Sequence, residues 1–308
     1  MIKIYFEGGL GNQMFQYTYG RYAQKRFHDQ VMYDISKYRY NSGEIREFEL
    51  LGFNIASDWK QLPEVSSSLK KYDIGFAGYR LASIPYLLIN RKLVAQGKKT
   101  VGNEMFQRVA NFFGYYRRYY GEYYDFFPSI NKNKHLMGHW FRKEIVEQMD
   151  DVVRNELTVI APMPKDVEAY LEQIRNTNSV GVHIRRGDYV ALGMIVCDID
   201  YYRNCMKKMA ELVDTPTYFI FSDDITWVKE NLHTEFSTVF VEGEHSAVQD
   251  MKLLYSCNHF IMSNSTFSWW GAYLGSCPDK KVMTPRYWGE KKEKSEMILD
   301  SWIDVENF

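Results

Sequence analysis

Two adjacent arginines at the end of a predicted strand are the residues of this sequence best suited to phosphate chemistry. Apolar side chains alternate with small or polar ones through residues 179–184, which is the period-2 pattern of a strand. Arg185 and Arg186 follow at once, and Gly187 and Asp188 come next. Guanidinium groups bind phosphate oxygens through paired hydrogen bonds, and a carboxylate such as Asp188 can hold one guanidinium in a fixed rotamer. An isolated motif of this kind is more often a surface Arg–Asp pair that closes a loop, so its meaning depends on the surrounding elements.

The second half of the sequence alternates between predicted strands and helices. Ser246 and Gln249 form a Ser-x-x-Gln capping box at the start of one helix. Short turns separate the elements, which predicts a doubly wound parallel sheet, and ligands bind such a sheet at the carboxyl ends of its strands. The predicted strands are residues 179–184, 217–221, 237–241, 259–262 and 281–284, and the predicted helices are residues 166–175, 200–212, 225–232, 246–256 and 269–274.

Three of these strand ends carry polar residues that would meet in one crevice. Arg185 and Arg186 follow the first strand, and Asp223 and Asp224 follow the second. A helix N-terminus flanked by hydroxyl groups binds phosphate, and a carboxylate can accept two hydrogen bonds from a guanine edge or a ribose. The pattern predicts a pocket for a purine nucleoside diphosphate, although the aspartates and one serine could equally be helix caps. The loop before the third helix contains Ser263, Asn264, Ser265, Thr266 and Phe267.

The N-terminus has a second strand–turn–helix pattern. A strand over residues 2–6 leads into a turn that contains Gly9, Gly11, Asn12 and Gln13. Such a turn can bind an anion or a nucleotide, but the third glycine of the dinucleotide fingerprint is absent. Asp34 lies at about the distance of a ribose-binding acid, which leaves an NAD site as an alternative. We interpret Asn12 and Gln13 as polar groups that point into the crevice.

Two further residue pairs resemble metal ligands, and neither predicts a metal site. His135 and His139 are four positions apart but have no pair of carboxylates nearby. Asp198 and Asp200 form an Asp-x-Asp motif, for which we prefer a capping role with Asp200 at a helix start. Arginines and a helix N-terminus can neutralise a leaving diphosphate without metal. We therefore expect no metal and no cofactor.

Length and composition suggest two domains and a protein of the cytoplasm. The 308 residues fit two domains, and the Ala-Pro-Met-Pro segment at residues 161–164 divides them into residues 1–160, on the acceptor side, and residues 161–308. A net charge of −1 gives no general attraction for nucleic acid. The four cysteines show no paired spacing, so we expect free thiols. Neither a signal peptide nor an apolar run of membrane-spanning length is present, so membrane contact would be peripheral, at the inner face.

The middle of the chain is less informative. We expect helices rather than strands over residues 59–133, and one helix over residues 141–157. Ten of the 16 residues from 112 to 127 are Phe or Tyr. This stretch fits a core or a domain interface, or a platform for an acceptor sugar.

Four motifs together resemble those of the bacterial α-1,2-fucosyltransferases. They are EGGLGNQMFQYTYGR (residues 7–21), HIRRGDY (183–189), FSDD (221–224) and SNSTFSWWGAYL (263–274). Their order and spacing also match, and the resemblance extends from residue 2 to about residue 288. The central HxRRxD element is shared with α-1,6- and protein O-fucosyltransferases, so it indicates GDP-fucose more than a linkage.

The resemblance implies a fold and an activity. The fold would be α/β and GT-B-like, with two Rossmann-type domains facing a cleft and GDP-fucose held mainly by the C-terminal one. The enzyme would transfer fucose, with inversion and without metal, to the 2-hydroxyl of a terminal galactose in a free or lipid-linked glycan. Residues 138–142, Gly-His-Trp-Phe-Arg, depart from the Gly-Tyr-Trp-Gln-Ser-like segment of many relatives, so the acceptor is the least transferable inference. A different linkage, an NAD-dependent oxidoreductase and a non-catalytic carbohydrate-binding protein are the alternatives.

The resemblance also implies residue roles. Arg185 would bind the β-phosphate and stabilise the departing GDP. Arg186 and Asp188 would organise the loop, and Asp188, or less directly Glu7, is the candidate general base. The other donor contacts would come from His183 beside the guanosine, Asp223 or Asp224 at the guanine or ribose, and Ser265, Thr266 and Phe267 along the diphosphate and fucose.

Overall fold

The protein divides into two compact α/β units. The computed structural model describes residues 1–35, 38, 47–60, 74–96, 110–112, 114–118, 134–194, 196–289 and 292–307. The N-terminal unit comprises Met1–Phe48 and Ile55–Met149, and the C-terminal unit comprises Glu49–Asn54 and Asp150–Phe308. This division lies before the proline-containing segment at residues 161–164 that the sequence suggests as a linker.

The division coincides with a break in a predicted helix. The sequence predicts one helix over residues 141–157, and the structure has two, Lys143–Gln148 and Asp150–Glu156. Met149, between them, has non-helical dihedral angles (φ −110°, ψ 16°). The prediction of a single helix is therefore wrong, and the two short helices belong to different units.

The N-terminal unit is built on a four-stranded parallel sheet. Its strands pair in the order β2-β1-β4-β3. β3 falls in the stretch that the sequence assigns to helices, and that prediction is wrong there because aromatic side chains at successive positions hide the period-2 pattern. The elements are β1 (Ile2–Tyr5), α1 (Leu10–Phe27), β2 (Val31–Asp34), α2 (Ser57–Lys60), α3 (Ile74–Ala95), β3 (Tyr115–Arg118), β4 (Lys134–Gly138) and α4 (Lys143–Gln148).

Close packing of α1 against β1 forms the core of this unit. Ile4 and Trp59 are buried beside Gly20 of α1. A Cβ atom at Gly20 would lie 2.2 Å from Ile4 Cδ1 and 2.6 Å from the Trp59 ring. The ring of Tyr33 stacks on that of Trp59 with centroids 5.4 Å apart. The backbone of α1 therefore touches the sheet directly, which positions the turn that precedes the helix.

The C-terminal unit follows the predicted alternation of strands and helices. The capping box of Ser246 and Gln249 is present. Helix α7 and strand β10 are additions that the sequence analysis missed. The elements are a 3₁₀ turn (Leu50–Gly52), α5 (Asp150–Glu156), α6 (Lys165–Arg175), β5 (Asn178–Ile184), α7 (Gly187–Leu192), α8 (Ile199–Leu212), β6 (Pro216–Ser222), α9 (Ile225–Asn231), β7 (Thr238–Phe240), α10 (Ala247–Ser256), β8 (His259–Ile261), α11 (Thr266–Leu274), β9 (Val282–Pro285) and β10 (Ile303–Val305).

The six strands of this unit form one parallel sheet in the order β7-β6-β5-β8-β9-β10. Counted within the unit, this is the order 3-2-1-4-5-6 of a Rossmann fold. Six consecutive residues of β5, Ser179 to Ile184, are buried, as expected for a central parallel strand covered on both faces. The predicted fold class, two Rossmann-type α/β units with a doubly wound parallel sheet in the C-terminal one, is confirmed.

Two other predictions concern the whole chain. Within the described residues, no helix combines the length and the hydropathy needed to cross a membrane. The four cysteines are free thiols, as predicted, and three of them are buried. The stretch at residues 112–127 lies largely outside the described residues, so its proposed role as a sugar platform stays a prediction.

Candidate functional site

The candidate site lies at the carboxyl ends of β5, β6 and β8 in the C-terminal unit. The strand order reverses direction between β5 and β8, and ligands of open α/β sheets bind at such a switch point. β5 ends at Ile184, next to the arginine pair, and β8 ends at Ile261, shortly before the serine-rich loop. The topology therefore brings together the motifs that the sequence analysis assigned to one crevice.

Arg185 is clamped between two carboxylates. Its guanidinium nitrogens lie 2.6 Å from Asp223 Oδ2 and 2.5 Å from Asp188 Oδ1. The guanidinium also lies 5.2 Å from the centroid of the Tyr189 ring. Asp188 holds the guanidinium as the sequence predicts, and the structure adds Asp223 as a second partner. The positive charge is therefore fixed in position at the end of β5.

Asp223 and Asp224 both have partners within the protein. Asp223 Oδ1 accepts a hydrogen bond from the backbone amide of Arg186 (2.9 Å). Asp224 caps α9 by accepting from Trp227 N (3.3 Å), and it pairs with Arg186 Nε (3.2 Å). The Arg186 guanidinium lies 3.3 Å from the centroid of the Trp227 ring. Asp223 therefore holds the arginine motif in place. A hydrogen bond between the carboxylate of Asp223 or Asp224 and guanine or ribose would have to add to these contacts or replace them.

His183 is a buried, neutral histidine. Its Nδ1 lies 2.6 Å from Ser268 Oγ and 3.2 Å from Ser263 Oγ. Burial, with a smaller contribution from the charge of Arg185, lowers the pKa of His183 to about 3. The Phe267 ring lies 5.1 Å from the imidazole. His183 can thus contribute hydrogen bonds but no positive charge at neutral pH. Sequence reasoning missed Ser268, which lies 85 positions away along the chain, although the serine belongs to a motif already singled out.

The loop after β8 places the N-terminus of α11 at the site. Ser265 is the N-cap and accepts from Phe267 N (3.3 Å). Ser263, Asn264 and Ser265 are buried, whereas Thr266 and Phe267 are partly exposed. Asn264 Nδ2 donates to the carbonyls of Met194 (3.0 Å) and Trp288 (3.4 Å). The buried members of the loop thus fix its shape, and its last two residues present side chains to solvent.

Cations stabilise the opposite end of α11. Lys280 Nζ donates to the carbonyls of Ala272, Tyr273 and Gly275 at 2.7 to 3.0 Å. Arg154 donates to the carbonyls of Tyr273 and Leu274. Positive charges at a helix C-terminus offset its partial negative charge. The helix whose first turn is the predicted phosphate site is thereby held firmly at its last turn.

The glycine-rich turn of the N-terminal unit is held by buried glutamines. Gly8 has φ +79° and Gly9 is the N-cap of α1. Gln13 is fully buried, and its Nε2 donates to the carbonyls of Gly8 (3.1 Å) and Glu47 (2.8 Å). The structure therefore corrects the interpretation of Gln13 as a group that points into a crevice. Asn12 lies against Gly8, because a Cβ at Gly8 would be 2.4 Å from its Nδ2.

Gly11 is buried within the first turn of α1. Asp34, which the NAD alternative would use to bind ribose, forms an ion pair with Lys3 (3.1 Å).

The other candidate ligand pairs have separate structural roles. His135 Nδ1 lies 2.9 Å from Tyr5 Oη, and His139 Nε2 lies 3.9 Å from Glu7 Oε1. Asp198, not Asp200, caps α8: its Oδ1 accepts from the backbone amide of residue 201 (2.8 Å). The sequence prediction of Asp200 as the cap is wrong, because the helix begins at Ile199 and its N-cap, Asp198, lies two residues before Asp200.

Comparison with known proteins identifies the family. Residues 81–306 match the model of Glycosyl transferase family 11. The chain belongs to this family. The match confirms both the resemblance that the four motifs indicate and the prediction of a glycosyltransferase, and it removes the oxidoreductase and non-catalytic alternatives.

Several family 11 relatives have been named by activity. The chain is 28% identical to the O-antigen biosynthesis glycosyltransferase WbnK of Escherichia coli, over 97% of this chain and 98% of that protein. It is also 28% identical to the alpha-1,2-colitosyltransferase of Escherichia coli, over 97% of each. The galactoside alpha-(1,2)-fucosyltransferase 2 of Mus musculus is 32% identical over 44% of this chain and 41% of that protein.

Among solved structures, a mutant of Arabidopsis thaliana FUT1 in complex with GDP has a TM-score of 0.50. The structural alignment covers 95% of this chain and 72% of that chain, with 12% sequence identity. At this level of identity the similarity concerns the fold alone.

Proposed function

We propose that the chain transfers L-fucose from GDP-fucose to the 2-hydroxyl of a terminal galactose and forms an α-1,2 linkage with inversion. The observation that carries this proposal is the clamped guanidinium of Arg185 at the switch point of a Rossmann sheet. Membership of glycosyl transferase family 11 and the named α-1,2-transferring relatives support the reaction class.

The reaction is a displacement at the anomeric carbon of fucose. The 2-hydroxyl oxygen of the acceptor attacks this carbon, the bond to the β-phosphate oxygen breaks, and its electron pair leaves with GDP. Arg185 neutralises the charge that develops on the phosphate, and the backbone amides at the start of α11 bind the diphosphate. Both groups are held by other parts of the unit before substrate arrives, so little reorganisation accompanies the reaction.

The remaining motif residues have supporting roles in this proposal. His183 donates to or accepts from the nucleotide as a neutral imidazole. Thr266 and Phe267 contact the diphosphate and the fucose ring, while the buried loop residues keep them in place. Arg186 and Asp224 shape the crevice through the contact with Trp227.

The acceptor proton has two candidate destinations. Asp188 lies in the first turn of α7, next to the arginine pair, but its carboxylate pairs with Arg185, which favours a positioning role. Glu7 lies near His139 in the N-terminal unit, where the ring of Phe141 stacks on the histidine. The pH dependence of kcat for Asp188→Asn and Glu7→Gln distinguishes them, because loss of the general base removes the acid limb of the profile.

A divalent metal is not required in this proposal, since a guanidinium and a helix N-terminus supply the positive potential at the leaving group. Full transfer activity in EDTA is the expected result. Activity that depends on added Mg²⁺ or Mn²⁺ would refute it.

A second donor is favoured by one observation. The alpha-1,2-colitosyltransferase aligns with 97% of this chain, and colitose is fucose without its 3-hydroxyl. We therefore include GDP-colitose as a competing donor. The kcat/KM ratio for the two donors with one galactose-terminated acceptor decides between them.

The acceptor is a galactose-terminated glycan, either free or linked to a lipid carrier. A lipid-linked acceptor would place the enzyme in the cytoplasm, in peripheral contact with the inner face of the membrane. Transfer to both forms of one glycan tests this point.

The first experiment needs no acceptor. In EDTA, GDP at 100 times its dissociation constant stabilises the folded protein by about 2.7 kcal/mol, whereas UDP and NAD at the same concentration leave the melting temperature unchanged. Arg185→Ala is expected to remain folded and to lose roughly 100- to 1,000-fold in kcat, the typical effect of removing one preorganised contact to developing charge. Stabilisation by NAD instead of GDP, or an Arg185→Ala enzyme with more than about a tenth of the wild-type rate, would contradict the proposal.

A further inference from the structure

Helix α3 (Ile74–Ala95) of the N-terminal unit presents apolar side chains to solvent. From residue 83 onward, where its side chains are described, the half-buried positions are Ser83, Tyr86, Asn90 and Leu93. Tyr86 packs against the small core cluster of Ala110 and Met137. Outside this half-buried stripe, the exposed fractions of the large apolar residues are 46% for Ile84, 59% for Leu87, 60% for Leu88, 50% for Ile89 and 63% for Val94.

This distribution departs from that in an ordinary surface helix. Such a helix turns its apolar residues to the core and its polar residues to water. Here a serine and an asparagine share the half-buried side with Tyr86 and Leu93, while two leucines, two isoleucines and a valine are exposed. Single exposed apolar residues are common, but a contiguous outward apolar face marks an interaction surface. The exposed apolar residues of α3 therefore indicate an interaction surface.

The same face is positively charged. Ile74–Ala95 contains no Asp or Glu, and Arg91 and Lys92 are exposed near its end. Both lie three or four positions from Leu88 and so share its side of the helix. Two further lysines, Lys98 and Lys99, follow in the sequence, in a protein whose net charge is −1. The helix and the residues that follow it therefore carry a net positive charge.

Apolar and basic side chains on one exposed helix face fit the boundary of an anionic bilayer. Apolar residues enter the region between headgroups and acyl chains, while Lys and Arg extend their charged ends to lipid phosphates. A second copy of the same face is a poorer partner, because two basic surfaces repel each other. Because no described helix combines the length and the hydropathy needed to span a membrane, α3 would lie in the membrane plane.

We propose that the outward face of α3 docks the enzyme on an anionic membrane surface. This inference concerns only the N-terminal unit and does not depend on which nucleotide sugar the C-terminal unit binds. If the acceptor is lipid-linked, docking brings the enzyme to the surface that displays it.

Sedimentation with lipid vesicles tests the proposal. The full-length protein is expected to bind vesicles of phosphatidylcholine with about 30% phosphatidylglycerol, and to bind pure phosphatidylcholine at least about tenfold more weakly, since basic residues near an anionic surface are attracted to it. The double variants Leu87→Glu/Leu88→Glu and Arg91→Glu/Lys92→Glu should each bind the anionic vesicles at least about tenfold more weakly.

A matched control for Leu87→Glu/Leu88→Glu carries the same two added negative charges elsewhere. Ile160 and Leu212 are 53% and 50% exposed in the C-terminal unit, and Ile160→Glu/Leu212→Glu should bind vesicles nearly as well as wild type. All variants should retain stabilisation by GDP, which separates a failure of membrane docking from a failure of the donor site. Equal vesicle binding by all variants, or binding to neutral and anionic vesicles alike, would overturn the proposal. So would a wild-type dimer that Leu87→Glu/Leu88→Glu converts to a monomer, because the face would then join two copies.

Discussion

Replacement of Asp223 by Asn should impair catalysis far more than the same replacement at Asp188. Both carboxylates bind the guanidinium of Arg185, at 2.6 and 2.5 Å. Asp223 also accepts a hydrogen bond from the backbone of the arginine motif, at Arg186 N (2.9 Å). Asparagine keeps an acceptor for that amide but removes the negative charge, and its amide group can face the guanidinium with a donor. The substitution therefore releases Arg185 with little change in shape.

The expected magnitudes follow from exposure. The Asp223 side chain is 27% exposed and that of Asp188 is 43% exposed. A partly buried hydrogen bond to a charged group contributes about 1.5 to 3 kcal/mol, which corresponds to a loss of roughly 10- to 150-fold in kcat/KM if it is expressed fully in the transition state. A more exposed ion pair contributes about 0.2 to 1 kcal/mol, so Asp188→Asn should cost no more than about fivefold.

Steady-state kinetics of GDP release with GDP-fucose and a saturating galactose-terminated acceptor measures both variants. A positioning role predicts that Asp223→Asn lowers kcat with little change in the donor KM or in the pH profile. Far-UV circular dichroism and stabilisation by GDP check that the site still forms. A larger effect at Asp188 than at Asp223, together with loss of the acid limb of the pH profile, would refute this reasoning and make Asp188 the general base.

Three further predictions follow from the structure. A Cβ at Gly187 would lie 2.4 Å from the carboxylate oxygen that binds the catalytic guanidinium, so Gly187→Ala should lower kcat/KM at least about tenfold by displacing it. The control is Gly289→Ala, whose new Cβ has no atom within 4 Å, and it should leave kcat/KM unchanged. Equal kcat/KM values for the two variants would contradict the prediction. Lys280→Met removes three hydrogen bonds to the last turn of the helix that opens at the phosphate site and should lower the free energy of unfolding in urea by about 1 to 3 kcal/mol, whereas the exposed Lys281→Met should change it by less than about 0.5 kcal/mol. Burial lowers the pKa of His183 to about 3, so the imidazole binds a proton in the unfolded chain before it does in the folded protein as the pH falls below about 6.5. Between that pH and about pH 3, the free energy of unfolding of wild type should therefore fall by up to about 1.4 kcal/mol per pH unit more than that of His183→Gln. Parallel stability curves for these two proteins would argue against a neutral buried histidine.

The sequence alone determined the features that depend on near neighbours. The alternation of β5, the capping box before α10 and the Arg185–Asp188 contact each involve residues only a few positions apart, where the geometry of strands and helices decides which side chains meet. Motifs at successive strand ends were also enough to predict that their polar residues meet, because parallel strands place their carboxyl ends at one edge of the sheet.

Elements without a sequence pattern were missed for a physical reason. Helix α7 buries none of its residues, so it has no apolar stripe to reveal it.

Only the tertiary structure decided which distant residues meet. Asp223 reaches Arg185 because β6 pairs with β5 in parallel register, and Ser268 reaches His183 because β8 lies on the other side of β5. The residues in these two contacts are 38 and 85 positions apart along the chain. Local sequence propensity carries no information about contacts between residues so far apart. The outward apolar face of α3 was equally hidden, because the sequence shows that a helix is amphipathic but not which face the rest of the fold covers.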